Sequence, residues 1–168
     1  TGVTHKIIPD RIEAGSYICL AATAEKSNIL IKDLNIDHLQ VVIDTFKQAG
    51  LNILYEEKNL RIIKNKKLSN LKIIADDYPL FPTDLQQPLT TLLTQAHGKS
   101  LVEETLYENR FKNTYDLNRM GAITNILSLN KLEVIGPKKL KGTNVIATDL
   151  RGGASLLIAG LIAEGLTE

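Results

Sequence analysis

Three apolar segments of this chain share one residue frame, and each begins with an aspartate: Asp10, Asp84 or Asp149. Aspartate is a preferred N-cap, because its carboxylate accepts hydrogen bonds from the free amide groups of a helix's first turn. Counted from the residue after each aspartate, four positions at helical spacing are small or apolar in every copy. The pattern predicts three helices, of which the first and third are apolar almost all round and therefore buried. The positions are Gly15, Ile18, Cys19, Ala22, Leu89, Leu92, Leu93, Ala96, Ala154, Leu157, Ile158 and Leu161.

The residues between these segments also repeat. Amphipathic helices are predicted over 37–49 and 113–120, and each is closed by a glycine, Gly50 or Gly121, which is the expected left-handed helix cap. Each glycine is followed by two short strand-like runs around a turn. The β-runs of the chain are 28–31, 52–55, 60–63, 72–74, 100–102, 123–127, 132–135 and 144–146.

The repeating unit is therefore strand, helix, strand, helix, strand, strand. We expect an α/β (α+β) fold in which βαβαββ units form a single domain over residues 1–168, with pseudo-threefold symmetry. The approximate copies are 7–66, 72–137 and an incomplete third copy, 138–168. The abrupt start of the sequence and its end shortly after Gly165 lead us to expect a fragment of a longer protein.

Charge and composition exclude several classes of protein. Twenty basic and 19 acidic side chains give a net charge of +1, which is not the basic excess that nucleic-acid-binding domains usually show. No run reaches the roughly 18 apolar residues of a membrane-spanning helix. Cys19 is the one cysteine and can form no internal disulfide, so a reducing compartment, the cytoplasm, is expected. We therefore expect neither nucleic acid nor a membrane as a partner.

The sequence offers no metal or cofactor site. The histidines His5, His38 and His97 are far apart, and neither an HExxH pair nor a glycine-rich phosphate loop is present. Cys19 occupies the same frame position as Leu93 and is interpreted as a core side chain. The three aspartates can be helix caps only, or their helix starts can converge with Arg11 and Arg151 on one polar, anion-binding site. The repeat alone leaves both interpretations open.

Four blocks carry a family resemblance. They are Tyr78–Pro88 (YPLFPTDLQQP), Glu108–Phe111 (ENRF), Ala147–Ser155 (ATDLRGGAS) and Pro9–Gly15 (PDRIEAG). In this order, and along the whole chain, the sequence resembles the C-terminal half of the UDP-N-acetylglucosamine 1-carboxyvinyltransferase family, to which the FPTD and ENRF blocks are specific. The resemblance implies an inside-out α/β barrel domain of the enolpyruvyl transferase type with its third unit incomplete. It also implies transfer of an enolpyruvyl group from phosphoenolpyruvate to the 3-hydroxyl of UDP-N-acetylglucosamine, in peptidoglycan synthesis and without a metal.

The resemblance also implies roles for individual residues. Asp84 matches the aspartate that hydrogen-bonds the acceptor hydroxyl and is the usual candidate for its general base. Leu106 matches a position that contacts the UDP-sugar, and Arg151 matches an arginine that faces phosphoenolpyruvate. Arg11 and Asp149 are expected around the same cleft. Arg110 lies in the ENRF block, where its role is open between binding and structure.

Other parts of such an enzyme have no counterpart here. The family's loop cysteine, a general acid, and most groups that hold the nucleotide belong to a second domain, so the chain alone is expected to be inactive. Two alternatives remain at this point. One is an enolpyruvyl transferase that acts on shikimate 3-phosphate, against which the FPTD and ENRF blocks argue. The other is a non-catalytic or nucleic-acid-associated module built on the same unit, which the near-neutral charge disfavours.

Overall fold

The computed structural model of the protein describes residues 2–168 and contains two β-sheets that flank a group of helices. Short 3₁₀ turns lie at Ile36–Leu39 and Thr83–Leu85. The helices and strands in chain order are α1 (Arg11–Thr23), β1 (Ser27–Ile31), α2 (Gln40–Gln48), β2 (Asn52–Glu56), β3 (Asn59–Lys64), β4 (Lys72–Asp76), β5 (Phe81–Pro82), α3 (Gln86–Leu93), β6 (Gly98–Glu104), α4 (Asn113–Arg119), β7 (Ile123–Ser128), β8 (Lys131–Gly136) and α5 (Leu150–Ile162).

The two sheets differ in strand direction. The first is antiparallel, in the order β1–β3–β2. The second has the order β5–β4–β6–β8–β7, in which β5, β4 and β6 are parallel and β8 and β7 are antiparallel to their neighbours. The predicted α/β class is confirmed, and β4, α3, β6, α4, β7 and β8 form one complete βαβαββ unit. Among the described residues the two sheets stay open and do not close into a barrel, and they flank the helices as expected for the inside-out arrangement.

The strand predicted at 144–146 is wrong. No strand forms there, because the backbone of this segment is paired with irregular C-terminal residues and not with a strand. The Val145 N–H donates to the Glu168 carbonyl at 2.8 Å, and the Glu168 N–H donates to the Thr143 carbonyl at 3.3 Å. The first copy also lacks a strand before its helix, since the described residues up to Asp10 form no strand.

The helices α1, α3 and α5 contact one another and form the centre of the domain. All eight residues of α3 are buried, and most of α1 is buried as well. The prediction of a fully buried third helix is wrong, because α5 packs along one face only. Its other face exposes Leu150, Leu157 and Leu161, at 78%, 68% and 64% of their surface. Among residues 2–168 no helix is long and apolar enough to cross a membrane.

Two of the three aspartates are caps. Asp10 accepts from the Ile12 N–H at 2.7 Å, and Asp149 accepts from the Gly152 N–H at 2.8 Å. Asp84 makes no capping hydrogen bond and lies inside the 3₁₀ turn that precedes α3, so its predicted capping role is wrong. The predicted glycine caps are confirmed, since Gly50 and Gly121 have φ angles of +93° and +101°.

Candidate functional site

The parallel part of the second sheet positions two segments side by side. The turn that contains Asp84 follows β5, and residues 105–112 follow β6. Both strands pair with β4, where Ala75 lies opposite Phe81 on one side and Glu104 on the other. The carboxyl ends of parallel strands meet at one sheet edge, which is the usual position of ligand sites in open α/β sheets.

Asp84 is held between two arginines. Its Oδ1 accepts from Arg110 Nη2 at 2.7 Å, and its Oδ2 accepts from Arg151 Nη2 at 3.0 Å. The Asp84 side chain remains 40% exposed, whereas those of Arg110 and Arg151 are 16% and 28% exposed. Both carboxylate oxygens therefore have a charged partner while one side of the group stays open to a ligand.

The arginines also determine the acidity of Asp84. Partial burial alone raises the pKa of this carboxyl, but the hydrogen bonds and positive charges of Arg151 and Arg110 outweigh burial, and the pKa is lowered from its usual value. A carboxylate with a lowered pKa is a weak proton acceptor. Withdrawal of the arginine donors from Asp84 would raise its pKa and make it a stronger proton acceptor.

An open cleft of about 490 Å³ surrounds this cluster. Asp149 lies on its wall at the start of α5 and accepts from the Arg151 N–H at 3.0 Å. Gly152 follows, where a Cβ atom would lie 3.1 Å from the Asp149 Oδ2, so glycine leaves room for the capping carboxylate. The lining residues are Asp84, Gln87, Tyr107, Glu108, Asn109, Arg110, Lys112, Asp149, Leu150 and Arg151.

The structure brings three of the five predicted site residues together, because Asp84, Asp149 and Arg151 line the same cleft. Leu106 is adjacent to the lining residue Tyr107 and 45% exposed, but does not itself line the cleft. Arg11 is not joined to the cluster. It lies in a separate recess of about 470 Å³ lined also by His38 and Tyr78.

The local reason for the position of Arg11 is an aromatic contact. Its guanidinium carbon lies 5.2 Å from the centre of the Tyr78 ring, a cation–π geometry. The N-terminal segment contributes Ile8 and Pro9 to the same recess. The expected common site of Arg11 with Asp84 is therefore not seen.

Sequence reasoning missed several members of the cleft. It left Arg110 open between binding and structure, whereas the structure places this side chain directly on Asp84. Gln87, three residues after Asp84 and buried, donates to the Arg110 carbonyl at 2.9 Å. Tyr107 lies beneath the Arg110 guanidinium, 4.6 Å from its carbon to the ring centre. In the sequence, only the position of Tyr107 directly before the ENRF block pointed to a place in the site.

Residues 2–168 contain no group of three or more histidine, cysteine, aspartate or glutamate side chains that could hold a metal ion. Cys19 is completely buried in α1, as predicted for a core side chain, and burial raises the pKa of its thiol. A buried neutral thiol is not a nucleophile.

Comparisons with known proteins agree with this architecture. The chain is 46% identical, over 99% of its length, to the UDP-N-acetylglucosamine 1-carboxyvinyltransferase of Halothermothrix orenii, of which it covers 40%. It is 43% identical, over 96% of its length, to that of Sulfurimonas denitrificans, of which it covers 38%. The chain thus spans about 40% of the length of these curated relatives, and the predicted resemblance is confirmed.

Solved structures show the same fold. The enolpyruvyl transferase NikO from Streptomyces tendae matches 94% of this chain with a TM-score of 0.83 and 27% identity, and 37% of NikO is covered. EPSP synthase from Acinetobacter baumannii matches 96% of this chain with a TM-score of 0.67, and 39% of it is covered. At 17% identity that match shows the fold alone. The model of the EPSP synthase (3-phosphoshikimate 1-carboxyvinyltransferase) family matches residues 1–168, and the chain therefore belongs to this family.

Proposed function

We propose that this chain is part of a UDP-N-acetylglucosamine 1-carboxyvinyltransferase, which moves an enolpyruvyl group from phosphoenolpyruvate to the 3-hydroxyl of UDP-N-acetylglucosamine. The observation that carries the proposal is the open carboxylate of Asp84 between Arg110 and Arg151. A general base must lie within hydrogen-bond reach of the proton it accepts, and arginine suits phosphate and carboxylate groups. The similarity to two enzymes of that name supports the choice of acceptor.

In this proposal each cleft residue has a part in an addition–elimination reaction. Asp84 accepts the proton of the sugar hydroxyl while the hydroxyl oxygen bonds to C2 of the enolpyruvyl group and C3 gains a proton from an acid outside this chain. Loss of phosphate from C2 and of a proton from C3 then restores the double bond. Arg151 and Arg110 bind the anionic groups of phosphoenolpyruvate, which weakens their hold on Asp84 and raises its pKa toward the usual value. Asp149 and Leu106 have supporting places around the sugar, whereas Arg11 lies in the separate recess and takes no part in this step.

The proposal includes a second domain. Residues 1–168 are proposed to form one domain, with copies of the unit near 7–66, 72–137 and 138–168. The relatives are more than twice as long, which leaves room for a partner domain that supplies the acid and most of the nucleotide contacts. The chain alone is then inactive. The whole enzyme would act in the cytoplasm, in cell wall synthesis and hence in cell shape, cell cycle and division, without nucleic acid, membrane, metal or cofactor.

An enzyme that uses shikimate 3-phosphate is the second candidate, because the matching family model is named for that reaction. Over the matched residues, the solved EPSP synthase is 17% identical to this chain and the carboxyvinyltransferase relative is 46% identical, so this candidate is less favoured. A non-catalytic module is the third candidate, and any turnover that depends on the cleft would exclude it.

Calorimetric titration of the full-length protein tests the acceptor. We expect binding of UDP-N-acetylglucosamine and no binding of shikimate 3-phosphate, and the reverse result would refute the proposal. The Arg151→Lys variant should weaken phosphoenolpyruvate binding about tenfold, because lysine cannot reproduce the planar two-donor geometry. Arg119→Lys is the matched control, since Arg119 pairs with Asp116 at 2.7 Å outside the cleft lining.

A further inference from the structure

The buried carboxylate of Glu104 connects the two segments that carry the site. Glu104 is the last residue of β6 and is 1% exposed. Its Oε2 accepts from the hydroxyl of Thr83 at 2.6 Å, and Thr83 immediately precedes Asp84. Its Oε1 accepts from the N–H groups of Leu106 and Tyr107 at 3.0 and 3.3 Å. One side chain thus reaches both the turn after β5 and the segment after β6.

This arrangement lacks the usual partner of a buried acid. Among residues 2–168, Glu104 forms no ion pair with lysine, arginine or histidine. Burying a carboxylate is costly unless hydrogen bonds replace the lost water. The three donors from Thr83, Leu106 and Tyr107 supply that replacement, so the carboxylate and its donors hold one another in place.

The contacts form a closed ring that includes the cleft residues Asp84 and Arg110. From Glu104 the ring runs through Thr83 to Asp84, and from Asp84 through its ion pair to Arg110. It returns along residues 105–110 to the two amides that Glu104 holds. The far end of that segment is fixed by Gln87 on the Arg110 carbonyl. Without Glu104, the start of the segment 105–110 would keep only the hydrogen bonds from Thr105 to the Ala75 carbonyl.

We infer that Glu104 is a positioning residue that sets the distance between the Asp84 turn and the segment 105–110; its effect on turnover rests on the proposed function. Glu104 touches neither substrate nor the reacting atoms in this assignment. It acts through the backbone of Leu106 and Tyr107 and through Thr83. A displacement of about 1 Å in such a site can cost on the order of 10²-fold in rate, so a small loosening of the ring should be measurable.

Thr83→Val tests the connection in the full-length protein, because valine keeps the shape and removes the donor. Two readouts apply: hydrogen–deuterium exchange of peptides that cover 105–110, and steady-state kinetics with both substrates. We expect exchange about tenfold faster in this segment. We also expect kcat roughly tenfold lower, with KM for phosphoenolpyruvate within about threefold. Thr83→Ser, which keeps the hydroxyl, should restore both readouts.

Two further variants complete the design. Glu104→Gln keeps the side-chain size and removes the charge. Hydrogen bonds to a charged acceptor are about twice as strong as neutral ones, so we expect severalfold faster exchange of 105–110 in a folded protein. Thr23→Val is the matched control, since Thr23 is buried in α1 and donates to the Cys19 carbonyl at 2.6 Å. It should leave the exchange of 105–110 unchanged.

The outcomes separate the two hypotheses. Exchange of 105–110 within twofold of wild type in both Thr83→Val and Glu104→Gln would overturn the positioning role. So would an unchanged kcat in Thr83→Val, in an active enzyme. A wild-type protein without turnover of phosphoenolpyruvate and UDP-N-acetylglucosamine would refute the proposed function instead, and the exchange data would then decide the role of Glu104 alone.

Discussion

Replacing Asp84 with alanine distinguishes a residue that takes part in the reaction from one that only holds two arginines together. The structure is compatible with either role, since the oxygens of Asp84 pair with Arg110 and Arg151 while its side chain stays 40% exposed to a ligand. The effect on the free energy of unfolding and the effect on turnover follow from different contacts. Their sizes can therefore be compared in a single variant.

The stability cost should be small. Ion pairs of exposed side chains contribute about 0–1 kcal/mol each, and the exposure of Asp84 screens both of its pairs. Arg110 is the more buried partner and loses its charged acceptor at 2.7 Å. Together we expect the free energy of unfolding of Asp84→Ala to fall by about 1–2 kcal/mol. Most of a typical 5–15 kcal/mol then remains, and the protein stays folded.

The turnover cost should be larger. Loss of a general base typically lowers the rate by about 10²–10⁴-fold, which corresponds to roughly 3–5 kcal/mol in the activation free energy. Phosphate release by the full-length protein with both substrates measures this, and urea unfolding measures stability. Asp116→Ala is the matched control, because Asp116 also pairs with an arginine, Arg119, at 2.7 Å outside the cleft lining. If Asp84→Ala kept activity within a few fold of wild type, Asp84 would be a structural ion-pair partner and the proposed base would be wrong.

Two further outcomes follow from the structure. The pKa of Asp84 is lowered in the folded state, so its ion pairs contribute their full stability above the usual carboxyl pKa near 4. This contribution is lost as the pH falls through the lowered pKa, and the difference in Tm between wild type and Asp84→Asn should therefore shrink in acid. A difference in Tm that stays constant would contradict the ion-pair account. Gly136→Ala should lower the free energy of unfolding by about 3 kcal/mol, as measured by urea titration. The new Cβ would lie 2.7 and 2.8 Å from the carbonyl oxygens of Thr94 and Leu93, and these backbone atoms cannot rotate away. Gly2→Ala, with open space around the new atom, is the control and should change nothing, and equal stability of the two variants would refute the packing argument.

The sequence predicted local structure better than it predicted contacts. The helices that end at Gly50 and Gly121 follow from cap chemistry and apolar spacing, which act over a few residues. The partners of Asp84 lie 26 and 67 residues away in the chain, and no local pattern specifies such a meeting. The same limit explains the wrong capping role of Asp84, whose oxygens were expected to bind amides and bind arginines instead.

Errors about burial have a similar cause. Apolar spacing shows which side of a helix can be buried. Whether that side is buried depends on the neighbouring helices and strands that cover it. The frame residues Leu157 and Leu161 of α5 are exposed, whereas their counterparts are fully buried: Leu92 in α3 and Ala96 just after it. The run 144–146 has β-forming side chains, yet a strand also needs a neighbour with free backbone groups, which the sequence does not identify.

The hydrogen bonds that Arg110 and Arg151 donate to Asp84 link anion binding to proton uptake. An anion that engages Arg110 or Arg151 weakens the field at Asp84 and increases the affinity of this carboxylate for a proton. By thermodynamic reciprocity, protonation of Asp84 strengthens anion binding by the same factor. At an acidic pH near the pKa of Asp84, binding of an anion in the cleft is therefore accompanied by partial proton uptake from the buffer. In the proposed reaction, Asp84 would therefore become more basic only after the anion has bound, which would place anion binding before proton transfer.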